Sequence, residues 1–319
     1  MVMKSIFKCC LLTFLLPSFA TSWTTKPIHI IVPFNAGGTI DNIARNLGQK
    51  LSVTLKQPVI VDNKPGAGSL IAADVVAKSA PDGHTWLITT NGLAIASALY
   101  KKTPFDPKKD LLPITELMST YMSLAVSSKL QVNSFKEFLA LAKSKPDELN
   151  YGSTGIGSAP HLVMEILKAN AKIKLTHIPY SGDAPMNQAL IAGNIDAVIT
   201  PIYGAYENMK AGKLRILAIS DTKRAELIPN VPTISESGIP GFEYLGWVGV
   251  FTPVGVDTEV MKRVQLELSK LLNNAEIKEK MSTWGYEGVG SAPEVFKTKY
   301  LEDLSKYAKV IKELNIEQE

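Results

Sequence analysis

The sequence predicts an α/β protein built from two similar lobes. A strand–helix alternation runs through residues 25–125 and again through 130–220. The strands are short apolar runs rich in β-branched residues, the mark of strands covered on both faces. Each alternation opens on a strand that ends in a Gly/Ser/Thr turn and enters a helix, which is the pattern of a parallel sheet with crossover helices. There is no residue-level repeat, only the same logic used twice, so two lobes of about 100 residues each are expected.

In chain order, Ile30–Val32 reads as the first strand and Asn35–Thr39 as its glycine turn. Thr39 is expected to cap a helix with the apolar stripe Ile40, Ile43, Ala44, Leu47 and Leu51. Pro58–Asp62 is a second strand, Ser69 caps a helix over Leu70–Ser79, and Trp86–Thr90 is a third strand ending in the polar tip Thr89–Gly92. Ile114–Val126 contains an extended segment, and Ser134 caps a helix over Phe135–Lys145. The second alternation has strands at Leu149–Ser153, Lys174–Pro179, Ile195–Thr200 and Leu214–Ile219. Its helices are Pro160–Asn170, Ala184–Ala192 closed by Gly193, and Tyr203–Ala211 closed by Gly212. Ala225–Gly241 is an irregular connection, and Tyr244–Thr252 an extended run able to cross back between the lobes. Asp257 caps a helix carrying Val260, Val264, Leu268 and Leu271. Ser291-Ala292-Pro293-Glu294 has the form of a capping box before a helix with Phe296, Tyr300, Leu304, Tyr307 and Ile311 on one face. This helical tail is assigned to the first lobe, which otherwise lacks helices to cover its sheet.

Residues 1–20 read as a secretory leader. Lys4 and Lys8 form its basic start, Cys9–Leu16 its apolar run, and Ser18-Phe19-Ala20 a cleavage site after Ala20. Losing Lys4 and Lys8 takes the net charge from +4 to +2. That is too near neutral for nucleic-acid or electrostatic membrane binding. The two cysteines, Cys9 and Cys10, both lie in the leader, so the exported chain has no disulfide, no Cys-based metal site and no Cys nucleophile.

The chemistry-bearing residues point away from catalysis. His29, His84, His161 and His177 are scattered, without metal-ligand spacing, and the glycine turns spell neither GxGxxG nor GK[ST]. No cofactor or metal is expected. Ser158 and His161 stand three apart, but Gly157-Ser158-Ala159-Pro160 is not a GxSxG elbow. Capping of the helix, or contact with a ligand, fits that pair better than a hydrolase. The positive signal is a set of small polar tips after strands: Asn35–Thr39, Thr89–Gly92, Ser153–Ser158, Ser181–Asp183 and Thr200. Ligands of parallel α/β sheets bind outside the carboxyl ends of strands, and tips with free amides at helix N-termini suit an anion. Read alone, each tip is equally a plain turn or cap.

At the level of whole segments, the chain resembles the Bug-type substrate-binding proteins of tripartite tricarboxylate transporters over Lys26 to Ile316. The landmarks include PIHIIVPFNAGGTIDNIAR (Pro27–Arg45), NYGSTGIGSAPHL (Asn150–Leu162), HIPYSGDAPMNQALIAGNIDA (His177–Ala197) and PNVPTISESGIPGF (Pro229–Phe242). The resemblance implies a two-lobe type II periplasmic binding protein with a hinge of two crossing segments. Lobe 1 would comprise 23–123 and 244–319, and lobe 2 would comprise 124–243. It implies a non-enzymatic, monomeric periplasmic protein that closes on a small carboxylate and delivers it to a membrane permease of one large and one small subunit. An extracytoplasmic sensor for a signalling kinase is the alternative. The family grips a ligand carboxylate with two loops, which match Phe34–Thr39, including Gly38 and Thr39, and Ser153–Ser158, including Thr154, together with His161. Thr90 and Asn91 match a further pocket edge. Many members carry an Asp where this chain has Thr200, a departure that speaks against an amino-bearing ligand and for a plain or hydroxylated acid. The hinge is expected near Ser123–Val126 and Tyr244–Phe251.

Overall fold

The computed structural model of the chain describes Trp23, residues 25–314 and Ile316. The expected leader and its cleavage after Ala20 lie outside these residues.

The first half is built on β1 (Ile28–Val32), β2 (Val59–Asn63) and β3 (Thr85–Thr90), all parallel with β1 in the middle. Helix α1 (Thr39–Leu55) buries its predicted stripe against this sheet. Thr39 is not its cap. Gly38 takes that position, and Thr39 is the first helical residue. Helix α2 (Leu70–Ala77) does start after Ser69, but Ser69 stands at φ +89° and its hydroxyl caps nothing. Helix α3 (Gly92–Leu99) has no counterpart among the sequence expectations. Leu93, Ala94, Ile95, Ala96 and Leu99 are all buried, so it has no polar face to reveal a helical period.

The 17-residue strand β4 (Leu111–Ser127) joins the halves. Its first part, through Tyr121, pairs antiparallel with β9 (Leu245–Pro253), which pairs in turn with β3. From Met122 onward it pairs with β7 (Ala197–Pro201) and from Ser123 with β8 (Leu214–Ile219). The change of partner at Tyr121–Met122 falls before the expected hinge segment Ser123–Val126. On the returning strand it falls at Tyr244–Leu245, because β9 pairs only within the first half. In the second half, β5 (Asn150–Ser153) lies parallel between β6 (Thr176–Pro179) and β7. Helices α4 (Phe135–Ser144), α5 (Ala159–Ala171), α6 (Asp183–Ala192) and α7 (Ile202–Lys210) alternate with these strands. The strand order is β2-β1-β3-β9-β4-β7-β5-β6.

Ser220, just past β8, ties both crossings together. Its N–H donates to Met122 O at 2.9 Å and its C=O accepts Tyr244 N–H at 2.8 Å. Its hydroxyl accepts Met122 N–H at 2.9 Å and donates to Tyr244 O at 2.6 Å.

Three C-terminal helices, α8 (Thr258–Leu272), α9 (Ala275–Thr283) and α10 (Pro293–Glu313), lie against the first half; the two-residue strand β10 (Glu287–Gly288) pairs with β4. Asp257 caps α8 as predicted, accepting the Glu259 and Val260 amides. Helices α8 and α9 share an apolar cluster with α1, β1 and β3. The α10 stripe Phe296, Tyr300, Leu304, Tyr307 and Ile311 is buried, with Phe296 edge-on to Trp247 at 5.1 Å between centroids. Gly249 makes room for that ring: a Cβ there would stand 2.1 Å from Phe296 Cζ. The capping box does not form. Ala292 is the N-cap of α10, and the Ser291 hydroxyl instead accepts the Glu116 amide at 2.9 Å.

Candidate functional site

The first loop leaves β1 at Phe34 and enters α1 at Thr39. Gly37 turns it at φ +82° where a Cβ would meet only open space, and Gly38 N–H reaches Asn35 O at 3.4 Å. The next amides, of Thr39 and Ile40, have no acceptor among the described residues. They are the unpaired first-turn donors of a helix, at its positive end. The loop is held from below by Asp41, which is 1% exposed. Its carboxylate accepts Gly37 N–H, Arg45 Nε and Asn63 Nδ2, each at 2.9 Å. Asn63 also donates to Phe34 O at 2.9 Å. Burial alone would raise the Asp41 carboxyl; the bonds from Arg45, Gly37 and Asn63 outweigh it and hold the group below its ordinary value. Arg45 is thereby committed to Asp41 and, at 3.0 Å, to Asn63 Oδ1, so the open face of the loop offers backbone amides. Sequence reasoning missed Asp41 and Asn63. The signals were an acidic residue in the first helical turn and a polar residue ending the neighbouring parallel strand.

The second loop leaves β5 at the fully buried Ser153, whose hydroxyl accepts Gly155 N–H at 3.1 Å and lies 2.7 Å from His177 Nε2. Thr154 is half-buried. Ser158 is the N-cap of α5. Its hydroxyl donates to Gly155 O at 2.7 Å and accepts the His161 amide at 3.5 Å. His161 Nδ1 in turn accepts Gly157 N–H at 3.1 Å. Ser158 and His161 are therefore a helix cap and a loop brace, and their side chains are not bonded to each other. The amides of Ile156 and Ala159 have no acceptor among the described residues. Beneath the loop, His177 stacks on His161, 4.2 Å away, and on Tyr151, 4.8 Å away, and those two rings are 6.5 Å apart. Burial, then the neighbouring His161, lowers His177 to about 4; burial also lowers His161. Both rings are neutral near pH 7. His177 was not among the expected site residues. Its signal is register: it pairs with Tyr151 on the next strand, so Tyr151, Ser153 and His177 share one face. The loop also seats on the first half, since a Cβ on Gly157 would lie 1.9 Å from Leu99 Cδ2 in α3.

The remaining expected residues fall into two groups. Thr90 is half-buried at the end of β3, its hydroxyl accepting Gly92 N–H at 3.2 Å. Asn91 departs from the expected pocket-edge role. It is buried, and its carboxamide donates to the hydroxyls of Tyr244 and Tyr307, bracing the returning crossing segment. Thr200, the last residue but one of β7, is fully buried, with its C=O accepting the Ser123 hydroxyl at 3.1 Å and its own Oγ1 without a partner among the described residues. Asp183, at the start of α6, has no hydrogen-bond or ion-pair partner among the described residues. It is open to solvent yet hemmed in by protein, and that crowding raises its carboxyl. Its charge also reaches Tyr286 of the first half, whose phenol is raised by burial first and by Asp183 second.

Each loop is thus internally organised, and no hydrogen bond or ion pair among the described residues joins the first loop to the second. A surface cavity of about 440 Å³ lies apart from both, beside Arg215, whose guanidinium is already spent on the carbonyls of Ser128 and Leu130. Among the described residues no group of three His, Cys, Asp or Glu side chains is placed to hold a metal ion. No described helix is long and apolar enough to cross a membrane.

Residues 43–316 match the family model for the tripartite tricarboxylate transporter family receptor. Protein BugT of Bordetella pertussis is 31% identical over 299 residues, covering 93% of this chain and 92% of BugT. Among solved structures, R. palustris Rpa4515 with adipate is similar at a TM-score of 0.85 and 31% identity, over 92% of this chain and 99% of that one. MatC (Rpa3494) from Rhodopseudomonas palustris with bound malate is similar at a TM-score of 0.80 and 30% identity, over 90% and 99%. The curled mixed sheet is the two-lobe fold of periplasmic binding proteins, and both the family and these neighbours are binding proteins. The chain belongs to the tripartite tricarboxylate transporter receptor family.

Proposed function

We propose that this protein captures a small organic acid, a di- or tricarboxylate or a similar carboxylate, by lobe closure in the periplasm. It then delivers the acid to a membrane permease of one large and one small subunit. The observation that carries this reading is the pair of unpartnered amides, Thr39 and Ile40, at the N-terminus of α1. Two hydrogen-bond donors at a helix N-terminus stabilise a carboxylate without a fixed cation. The loop 153–158, with unpartnered amides at Ile156 and Ala159, is the second jaw. Rpa4515 and MatC, whose structures contain adipate and malate, support the class of ligand. In this reading Phe34, Gly38 and Thr39 act from residues 23–123 with 244–319, and Ser153, Thr154, Ser158 and His161 act from 124–243. Thr90 and Thr200 shape the distal end, while Asn91 contributes only as a brace. The ligand favours the closed state by its difference in affinity between open and closed arrangements.

Thr39→Pro tests the first jaw. Thr39 is the first residue of α1, where proline is tolerated. Gly38 before it is already extended, at φ −73° and ψ 167°, as a residue preceding proline should be. The variant removes one amide and leaves the helix. In a thermal-shift screen of di- and tricarboxylates, acidic amino acids and aromatic acids, at least one carboxylate should raise the melting temperature of the wild type. Thr39→Pro should keep its own melting temperature and lose about tenfold or more in affinity for that acid. A screen in which only neutral or cationic compounds stabilise the protein would overturn the function; undiminished affinity in Thr39→Pro would remove the loop from the site.

A further inference from the structure

The second jaw leans on one side-chain acceptor that a proton would remove. Gly155 N–H donates to Ser153 Oγ at 3.1 Å, and Ser158 N–H donates to Gly155 O at 3.2 Å. Gly157 N–H donates to His161 Nδ1 at 3.1 Å. The open amides, of Ile156 and Ala159, flank the stretch that His161 holds. Gly155 stands at φ +122° and Gly157 at φ +72°. Glycine leaves such a backbone free to move, so its hydrogen bonds must fix the turn. A ring nitrogen that accepts carries no proton, so the bond to Gly157 exists only for the neutral imidazole with its hydrogen on Nε2. The ring is 7% exposed and stacks on His177. The titratable groups around it are Glu165 and Lys168 on its own helix, His177 on β6 and Tyr151 on β5. Glu165 already accepts Lys168 Nζ at 2.6 Å and the Tyr151 hydroxyl. Burial disfavours a cation on His161, Glu165 favours it and Lys168 opposes it; burial prevails.

We infer that His161 is a positioning residue for capture: its neutral ring holds Gly157 and thereby sets the open amides of Ile156 and Ala159, and a proton on Nδ1 releases them. This rests on the carboxylate-capture reading and deepens it, because it makes capture sensitive to acid with no contact between His161 and the ligand. Once protonated, Nδ1 is a donor facing the Gly157 N–H, and neither group can answer the other. The sign separates this arrangement from direct contact. A His161 that met the ligand itself would attract a carboxylate more strongly as a cation, and acid would tighten binding. Acting through Gly157, acid loosens it.

The test is calorimetric titration of wild type, His161→Phe and His161→Asn between about pH 7.5 and about pH 4.5. The probe is the acid that most stabilises wild type in the carboxylate screen, with malate and adipate tried first. Phenylalanine keeps a ring to stack on His177 and loses the acceptor. Asparagine offers an acceptor oxygen in place of Nδ1 and does not titrate. At the upper pH, His161→Phe should bind about tenfold more weakly than wild type, and His161→Asn should recover most of that loss. Protonation of the ligand and of His177 is common to wild type and His161→Asn and cancels in the ratio of their affinities. That ratio, wild type over His161→Asn, should fall about threefold or more toward the lower pH. Thermal melts without ligand at each pH confine the comparison to folded protein, and the ratio decides alone if His161→Phe does not fold. A ratio that stays flat or rises in acid overturns the positioning role while capture stands, as does undiminished affinity in a folded His161→Phe. If no acid of the screen binds at any pH, capture and positioning fall together.

Discussion

Replacing Ser220 with Ala should cost far more than the loss of one small polar side chain. Ser220 is 0% exposed, and its hydroxyl serves two backbone groups on different strands. It takes the Met122 amide at 2.9 Å and gives its proton to the Tyr244 carbonyl at 2.6 Å. Alanine keeps the two backbone bonds of Ser220 but strands a buried N–H on one crossing segment and a buried C=O on the other. At about 1–3 kcal/mol for each orphaned group, the sum is about 2–6 kcal/mol. That is a large share of the stability of an ordinary domain. Ser123→Ala is the internal control. It is the next residue but one to the crossing, is equally buried, and gives up one bond, to Thr200 O at 3.1 Å. Urea unfolding of both variants at one pH, with the slope checked for two-state behaviour, reads the difference. Ser220→Ala should lose at least about 1 kcal/mol more than Ser123→Ala. Equal losses would mean that the Ser220 hydroxyl does not clasp the crossings, and its four-bond geometry would be mere proximity.

Two further outcomes follow from the second loop. The depressed His177, at about 4 against an ordinary 6.5, stays neutral in the fold while the unfolded chain takes up a proton. Stability is therefore full above pH 6.5 and is lost as pH falls toward 4, by at most about 3 kcal/mol. The urea midpoint measured across that window should fall less in His177→Gln, and parallel curves would refute the assignment. Gly157→Ala places a Cβ 1.9 Å from Leu99 Cδ2 at φ +72°, a clash plus a left-handed residue costing about 2–4 kcal/mol. Adding Leu99→Ala should recover the steric part in a double-mutant cycle, and strict additivity of the two losses would show that the loop does not seat on α3.

What could be read from the sequence was local, and what could not was decided by residues far away in the chain. The stripes of α1 and α10 are periodic patterns contained in one element, and they are buried as their spacing requires. The cap at Ser134 is equally local, its hydroxyl meeting an amide three residues on. Ser291 has the same local form, yet its hydroxyl is claimed by Glu116 N–H, 175 residues earlier, because β4 runs beside the entry to α10. Thr39 lost its cap position to a shorter-range competitor: Asp41 supplies the oxygen that orders the turn, and Gly38 then occupies the N-cap without needing a side chain. Helix α3 failed for a different reason, since an element apolar on every side carries no period.

The candidate site follows the same division. The Gly/Ser/Thr tips announced free amides at helix entries, because that property belongs to the turn itself. The direction of a side chain at a tip does not. Asn91 sits at the end of β3 as the sequence places it, but Tyr244 and Tyr307 draw its carboxamide inward, and neither tyrosine is near it in sequence. His177 shows the converse: a histidine set aside as scattered comes to lie under the second loop because β5 and β6 pair in the register that stacks it on Tyr151 and His161. What is written in local turns is therefore legible, whereas pairs such as Ser153 and His177 are brought to one point only by the folded sheet.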